Sequence, residues 1–208
     1  MKQQPILLER ILELALKDKG YNAICGVDEA GRGPLAGDVV AAAVILPWTV
    51  EYPGLNDSKK MTPKARERLY EHITQTAIWA IGTATPAEID TLNILNATML
   101  AMQRAVQAMP YAPDYALIDG NIARGFAIPH QTVVGGDGIS PSIAAASVIA
   151  KVTRDRMCLV LDQMYPDYLF AKHKGYATKE HMQLLRTLGP TAVHRRSFLS
   201  FLNKNDAS

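Results

Sequence analysis

The stretch Ile24-Cys25-Gly26-Val27-Asp28-Glu29-Ala30-Gly31-Arg32-Gly33-Pro34-Leu35-Ala36-Gly37 sets two adjacent carboxylates at the end of an apolar run, with a glycine-rich loop behind them. Ala23–Val27 reads as a buried strand, where a carboxylate is costly unless paired or bound to metal. Neighbouring strand residues point to opposite faces, so the two acids meet only where the strand ends or bulges. The glycines supply such an ending, with open backbone N–H groups and the Arg32 cation. A carboxylate pair beside a small basic loop suits a divalent metal facing a phosphate.

Downstream, Val39–Leu46, Ile78–Thr83, Tyr115–Ile118 and Thr132–Val134 read as further strands. Thr62-Pro63 opens a helix. Thr85 and Glu88 stand at capping-box spacing before a long helix through Ile94, Leu95, Met99, Met102 and Val106. Ser140-Pro141 caps another, from Ser142 to about Met164, whose small residues permit close packing on a sheet. Lys172–Tyr176 is a connection, a helix follows from Thr178, and His194–Leu202 is expected to be helical. The order predicts an α/β fold, a mixed sheet flanked by helices with a helical C-terminal extension. A single domain over 1–208 is expected, with its core at about 20–165 and the extension at about 166–202.

Three places share one grammar of apolar strand, acid and glycine: Val27-Asp28-Glu29, Ile118-Asp119-Gly120 and Gly136-Asp137-Gly138. In open α/β sheets ligands sit outside strand ends. Four carboxylates converging there cannot all stay ionised without cations, and an all-oxygen site suits Mg²⁺ or Mn²⁺. Two such ions clamp the attacking and leaving oxygens of a phosphodiester. Singly, Asp119 and Asp137 also fit ordinary turns. Gly31-Arg32-Gly33-Pro34-Leu35-Ala36 formally matches a dinucleotide fingerprint. That fingerprint needs a helix next, and Asp38–Pro47 reads as a strand.

The chain has 208 residues, ordinary hydrophobic content for a globular protein and no apolar run near the ~20 residues of a membrane span. Residues 1–19 read as an amphipathic surface helix, not a secretory signal. Cys25 and Cys158 read as buried free thiols of a reducing cytoplasm, the expected location. Residues 151–204 carry ten Lys or Arg against four Asp or Glu, whereas residues 1–150 carry an acidic excess. That asymmetry fits a metal site joined to a polyanion-binding surface. A solvated helix face fits it equally.

With these motifs the chain resembles bacterial ribonuclease HII from about Ala23 to Phe198. The resemblance rests on Gly26–Gly37, Asn56-Asp57-Ser58-Lys59-Lys60, Ile118–Asn121, Gly136-Asp137, Ser142–Asp155, Lys174-Gly175-Tyr176 and His194-Arg195-Arg196-Ser197-Phe198. It implies a ribonuclease H-like fold and a metal-dependent endoribonuclease. The implied substrates are the RNA strand of RNA–DNA hybrids and the 5′ side of a single ribonucleotide in duplex DNA, in ribonucleotide removal. Asp28, Glu29, Asp119 and Asp137 are the implied catalytic ligands of two Mn²⁺ or Mg²⁺ ions. Asp155, inside a helix, reads instead as half of an ion pair.

The resemblance also implies that Gly31-Arg32-Gly33 grips the backbone beside the 2′-OH and that Tyr176 stacks on the adjacent sugar. Tyr176 could alternatively be a core-edge tyrosine. Ser58 and Lys59 read as a phosphate contact or as a solvated loop, and Arg195 and Arg196 as backbone contacts or helix decoration. A monomer is expected, and Asn203–Ser208 lacks the aromatic signature of a sliding-clamp peptide. Two rivals are a non-catalytic hybrid-binding module and a nuclease cutting all-deoxyribose duplex.

Overall fold

The computed structural model describes residues 7–205. Helix α1 (Ile11–Lys17) precedes strands β1 (Ile24–Ala30) and β2 (Val39–Ile45), then α2 (Pro63–Thr76) and β3 (Ile78–Ala84). Helices α3 (Pro86–Leu92) and α4 (Ile94–Gln107) lead to β4 (Tyr115–Asp119) and β5 (His130–Val133). The long α5 (Pro141–Met164) is followed by α6 (Phe170–His173), α7 (Lys179–Leu188) and 3₁₀ turns at Arg196–Phe198 and Ser200–Asn205. Residues 1–6 of the expected N-terminal helix lie outside the described residues, as do residues 206–208 of the tail on which clamp binding turns.

The sheet order is β3-β2-β1-β4-β5, antiparallel from β3 to β1 and parallel from β1 to β5. This is the mixed sheet expected. Its two faces are buried differently. Val27, Ala41, Ala43 and Ile118 pack with Ala97, Ala101 and Met102 of α4. Ala42 and Val44 pack with Ala145, Ile149 and neighbouring residues of α5, and with Leu69 and Ile73 of α2. The expected helix from Thr85 is two helices. The capping box forms, but Asn93 takes φ 66° and its side chain caps α4 through Leu95 N–H and Asn96 N–H. Asparagine is a strong N-cap, and its two bonds to α4 amides offset the strain of that backbone conformation.

Gly26 sets the depth of α5 on the sheet. A Cβ there would lie 2.0 Å from the Ser142 carbonyl carbon and 2.2 Å from Ile143 N. Both obstacles are backbone, so no rotamer change relieves them. Gly26→Ala should therefore cost about 3 kcal/mol or more. A wild-type urea midpoint for the variant would contradict this packing.

Leu35 and Ala36 pack under Tyr168, Phe170, Leu185 and Leu199, so the C-terminal extension closes over the glycine loop. The expected helix at His194–Leu202 consists of 3₁₀ turns, and the expected Lys172–Tyr176 connection begins inside α6.

Candidate active site

Strand β1 does not stop at Val27, as its sequence suggested, but carries Asp28 and Glu29 in register with Ala42 and Ala41 of β2. On its other edge, pairing with β4 ends at Val27 and Ile118. Asp28 and Asp119 are therefore next in line where β1 and β4 part. By alternation Asp28 shares the α5 face with Gly26. Its carboxylate accepts the Glu29 N–H at 2.7 Å. Burial, then the charges of Glu29 and Asp119, push its carboxyl well above the usual range. Burial also raises Glu29, against the pull of Arg32, whose Nη1 lies 3.3 Å from Oε1.

Asp119 accepts the Gly136 N–H at 2.7 Å, which ties the end of β4 to the Gly136–Gly138 turn. That turn holds Asp137 just before Ser140, the N-cap of α5. Burial raises the Asp137 carboxyl, and the charges of Asp57 and Asp119 add to it. Lys59 Nζ stands 4.0 Å from Asp137 Oδ2. The four predicted acids thus share one end of the sheet and feel one another's charge. Among the described residues no three Asp, Glu, His or Cys side chains are drawn together tightly enough to hold one metal ion. The donor set nevertheless fits hard divalent cations, being carboxylate oxygen throughout with an excess of negative charge.

Beside the acids a cleft of about 290 Å³ is lined by Glu29, Gly31, Arg32, Gly33, Lys59 and Tyr176, with α5 as its floor. Tyr176 is 45% exposed, so it is not a core tyrosine, and its ring flanks Gly33. Gly31 takes φ +98°, and a Cβ there would lie 2.1 Å from Arg154 Nε. Arg154 is itself buried and donates to the carbonyls of Asp38, Ala36 and Lys174.

Two of the expected substrate contacts have buried side chains. Arg195 is fully buried, and its guanidinium donates to the carbonyls of Gly31, Arg32, Pro34 and Gly37 at 2.6–3.0 Å. It moulds the loop from beneath and has no donor left for a phosphate. Ser58 is also buried, its hydroxyl 2.8 Å from that of Ser147 on α5. It braces the loop that presents Lys59. Arg196 is exposed in a 3₁₀ turn whose N–H groups are held by Asp90. Asp155 pairs with Lys151 at 2.6 Å, one helical turn back, and takes no part in the site.

Asp57 joins the site although no strand-acid-glycine pattern marks it. It lies beside Asp137, and its Oδ1 accepts the Lys59 N–H at 2.9 Å. Burial would raise its carboxyl, but that amide, Asp137 and the charges of Lys59 and Lys60 bring it below the usual range. The signal was present in Asn56–Lys60, but a lone Asp before Ser-Lys looks like any turn acid. Ser147 was hidden in the same way, as one small residue among many on α5.

Comparison with known proteins bears on the family and the fold. The family description "Ribonuclease HII" matches residues 25–201. The ribonuclease HII of Desulfitobacterium hafniense (strain Y51) is 53% identical over 196 residues, covering 91% of this chain and 75% of that protein. The crystal structure of ribonuclease H2 from Pyrococcus horikoshii OT3 superposes with a TM-score of 0.68 at 23% identity, over 88% of this chain and 99% of that one. Bst-RNase HIII in complex with Mn²⁺ gives 0.66 at 19% identity, over 89% and 70%. These structures share the fold. The sequence matches go further: the chain belongs to the ribonuclease HII family, metal-dependent endoribonucleases that cleave RNA in RNA–DNA hybrids.

Proposed function

We propose that the cleft cuts the RNA strand of hybrids and the 5′ side of a single ribonucleotide embedded in duplex DNA, leaving 3′-hydroxyl and 5′-phosphate ends. The observation that carries this reading is the juxtaposition, in one cleft, of Glu29, the Gly31–Gly33 loop and Tyr176. A lone 2′-OH is the only handle that separates a ribonucleotide from its neighbours in DNA. Backbone groups of a glycine loop approach it closely, because no Cβ intervenes.

Asp28, Glu29, Asp119 and Asp137 would hold two divalent ions, Mn²⁺ or Mg²⁺. The chemistry those ions supply when bound is activation of a water nucleophile and stabilisation of the leaving 3′-oxygen. Lys59, 82% exposed beside Asp137, is placed for a substrate phosphate. Arg32 sits at the mouth of the glycine loop, and Arg196 and the other exposed basic groups of residues 151–204 would hold the duplex backbone in a salt-sensitive way. No described helix is long and apolar enough to cross a membrane, and we place this activity in the cytoplasm, in a monomer acting on ribonucleotide-containing DNA.

The test is an end-labelled DNA duplex with one internal ribonucleotide, incubated with Mg²⁺, Mn²⁺ or EDTA beside an all-DNA duplex and a continuous hybrid. One metal-dependent cut on the 5′ side of the ribonucleotide is expected. Cutting confined to the continuous hybrid would remove the role given to Gly31–Gly33 and Tyr176. In the same assay Tyr176→Ala should lower kcat/KM on the single-ribonucleotide duplex about tenfold to a hundredfold, the loss typical of one aromatic stacking surface.

A further inference from the structure

Behind Tyr176 lie three histidines that the chemistry does not use. His173, His181 and His194 are 6%, 0% and 2% exposed. The rings of His173 and His181 stack at 4.2 Å, and His181 Nε2 lies 3.1 Å from His194 Nε2.

The partners of the six ring nitrogens leave one arrangement of protons. His181 Nδ1 faces the Tyr176 carbonyl at 3.0 Å. A carbonyl only accepts, so Nδ1 carries the hydrogen and Nε2 is bare. His194 Nε2 must then donate to it, which leaves His194 Nδ1 to accept the Thr191 N–H at 3.0 Å. His173 Nε2 faces the Tyr168 carbonyl at 2.6 Å, and its Nδ1 accepts the Gly175 N–H at 3.1 Å. Each ring is satisfied as a neutral imidazole. A second proton on His181 would set its Nε2–H against that of His194, and one on His173 would set N–H against Gly175. On His194 it would displace the Thr191 N–H, with the Thr191 hydroxyl oxygen 2.9 Å from Nδ1 left as its acceptor.

These bonds end on the wall of the cleft. Gly175 and Tyr176 are gripped by His173 and His181, while the Gly175 carbonyl accepts the Leu35 N–H at 2.7 Å. The His194 backbone, not its ring, pairs with Ala36 in an isolated β-bridge. We propose that His173, His181 and His194 are positioning residues that, as a neutral hydrogen-bond chain, fix the Lys174–Tyr176 segment against the glycine loop, and that a proton on His173 or His181, the two rings bonded to that segment, releases it. Its consequence for cleavage rests on the role proposed above for Tyr176.

The surroundings offer an imidazolium little relief. The charged groups facing the trio are Asp162 on α5, Lys172 on α6, Glu180 on α7 and Arg196. Lys172 and Glu180 pair with each other at 2.8 Å, and Asp162 is engaged by the Ala171 N–H. Burial holds all three imidazoles below their ordinary range, His194 at about 4. A folded-state value below the unfolded one means that the unfolded chain binds more protons. The stability is therefore complete above about pH 6.5 and is lost as pH falls from there toward 4.

The experiment reads ¹⁵N imidazole spectra of the wild type, then amide protection factors and cleavage in His181→Leu, His181→Asn and Tyr176→Ala. At neutral pH the hydrogens should sit on Nδ1 of His181 and on Nε2 of His173 and His194. In His181→Leu, protection at Gly175 and Tyr176 should fall about tenfold, the scale of one buried hydrogen bond. The preference for a single ribonucleotide over a continuous hybrid should fall with it. His181→Asn, which can still donate to the Tyr176 carbonyl, should restore part of both. In the wild type, protection at these two amides should fall between pH 7.5 and 5.5.

Any other tautomer set overturns the proposal, even if His181→Leu does not fold. Unchanged protection at Gly175 and Tyr176 in a folded His181→Leu overturns it as well. Reduced protection with no effect of Tyr176→Ala on substrate preference would sustain the positioning role and remove the reading of Tyr176.

Discussion

Asp28→Asn is expected to abolish cleavage and at the same time to stabilise the metal-free protein. The carboxylate is buried at the fork between β1 and β4 with Glu29 and Asp119 as charged neighbours. Asparagine keeps the size and the carbonyl that accepts the Glu29 N–H, and removes only the charge. If Asp28 holds the ions as proposed, the rate should fall by about 10³-fold or more. Removing a buried charge, and with it the repulsion from Glu29 and Asp119, should raise the Tm of the metal-free protein by several degrees. Hybrid binding, measured by anisotropy without divalent ions, should stay within a few-fold of wild type, because the basic groups and loops are untouched. Retained cleavage at comparable rates would sink the metal-site assignment. A lower Tm would show the charge to be compensated in the folded protein.

Arg195→Met should produce the second large effect, and in the opposite sense for stability. The methionine keeps the apolar stem and deletes every donor to the carbonyls of Gly31, Arg32, Pro34 and Gly37. Those acceptors would stand in a buried space with no partner, a loss of about 3 kcal/mol or more, or roughly 6–12 °C in Tm. Cleavage should fall with it, because the loop that lines the cleft loses its mould. A phosphate-contacting arginine would behave otherwise: wild-type stability, weaker binding and a shallower salt dependence. The two roles separate cleanly in one melting curve and one salt titration.

Much of this was legible in the chain. The alternation of apolar runs with acid-glycine pairs gave the strands and the end of the sheet where they finish. The capping sequences at Thr62, Thr85, Ser140 and Thr178 all start helices in the structure. Such signals are local, carried by side chains that bond backbone within three residues. Local reading misplaced what depends on distant partners. The pairing of Asp28 with Ala42 extends β1 beyond its apolar run. Asn93 splits one apolar-periodic stretch into two helices, because periodicity alone does not see a residue at positive φ.

Charge was the least reliable guide. Arg154, Arg195 and Arg196 look alike in a basic tail, yet two are buried against loop carbonyls and one is in solvent. Whether a guanidinium meets a phosphate or a peptide carbonyl depends on chain more than a hundred residues away.

By itself, then, the sequence determined the element types, the four acids and the glycine loop, since each is written in contiguous residues with a local physical signature. Tertiary structure alone decided that Arg195 and Ser58 are buried beneath the cleft, that Asp57 stands beside Asp137, and that three histidines meet behind Tyr176. Those placements follow from burial and from hydrogen-bond partners remote in the chain, and no local pattern encodes either.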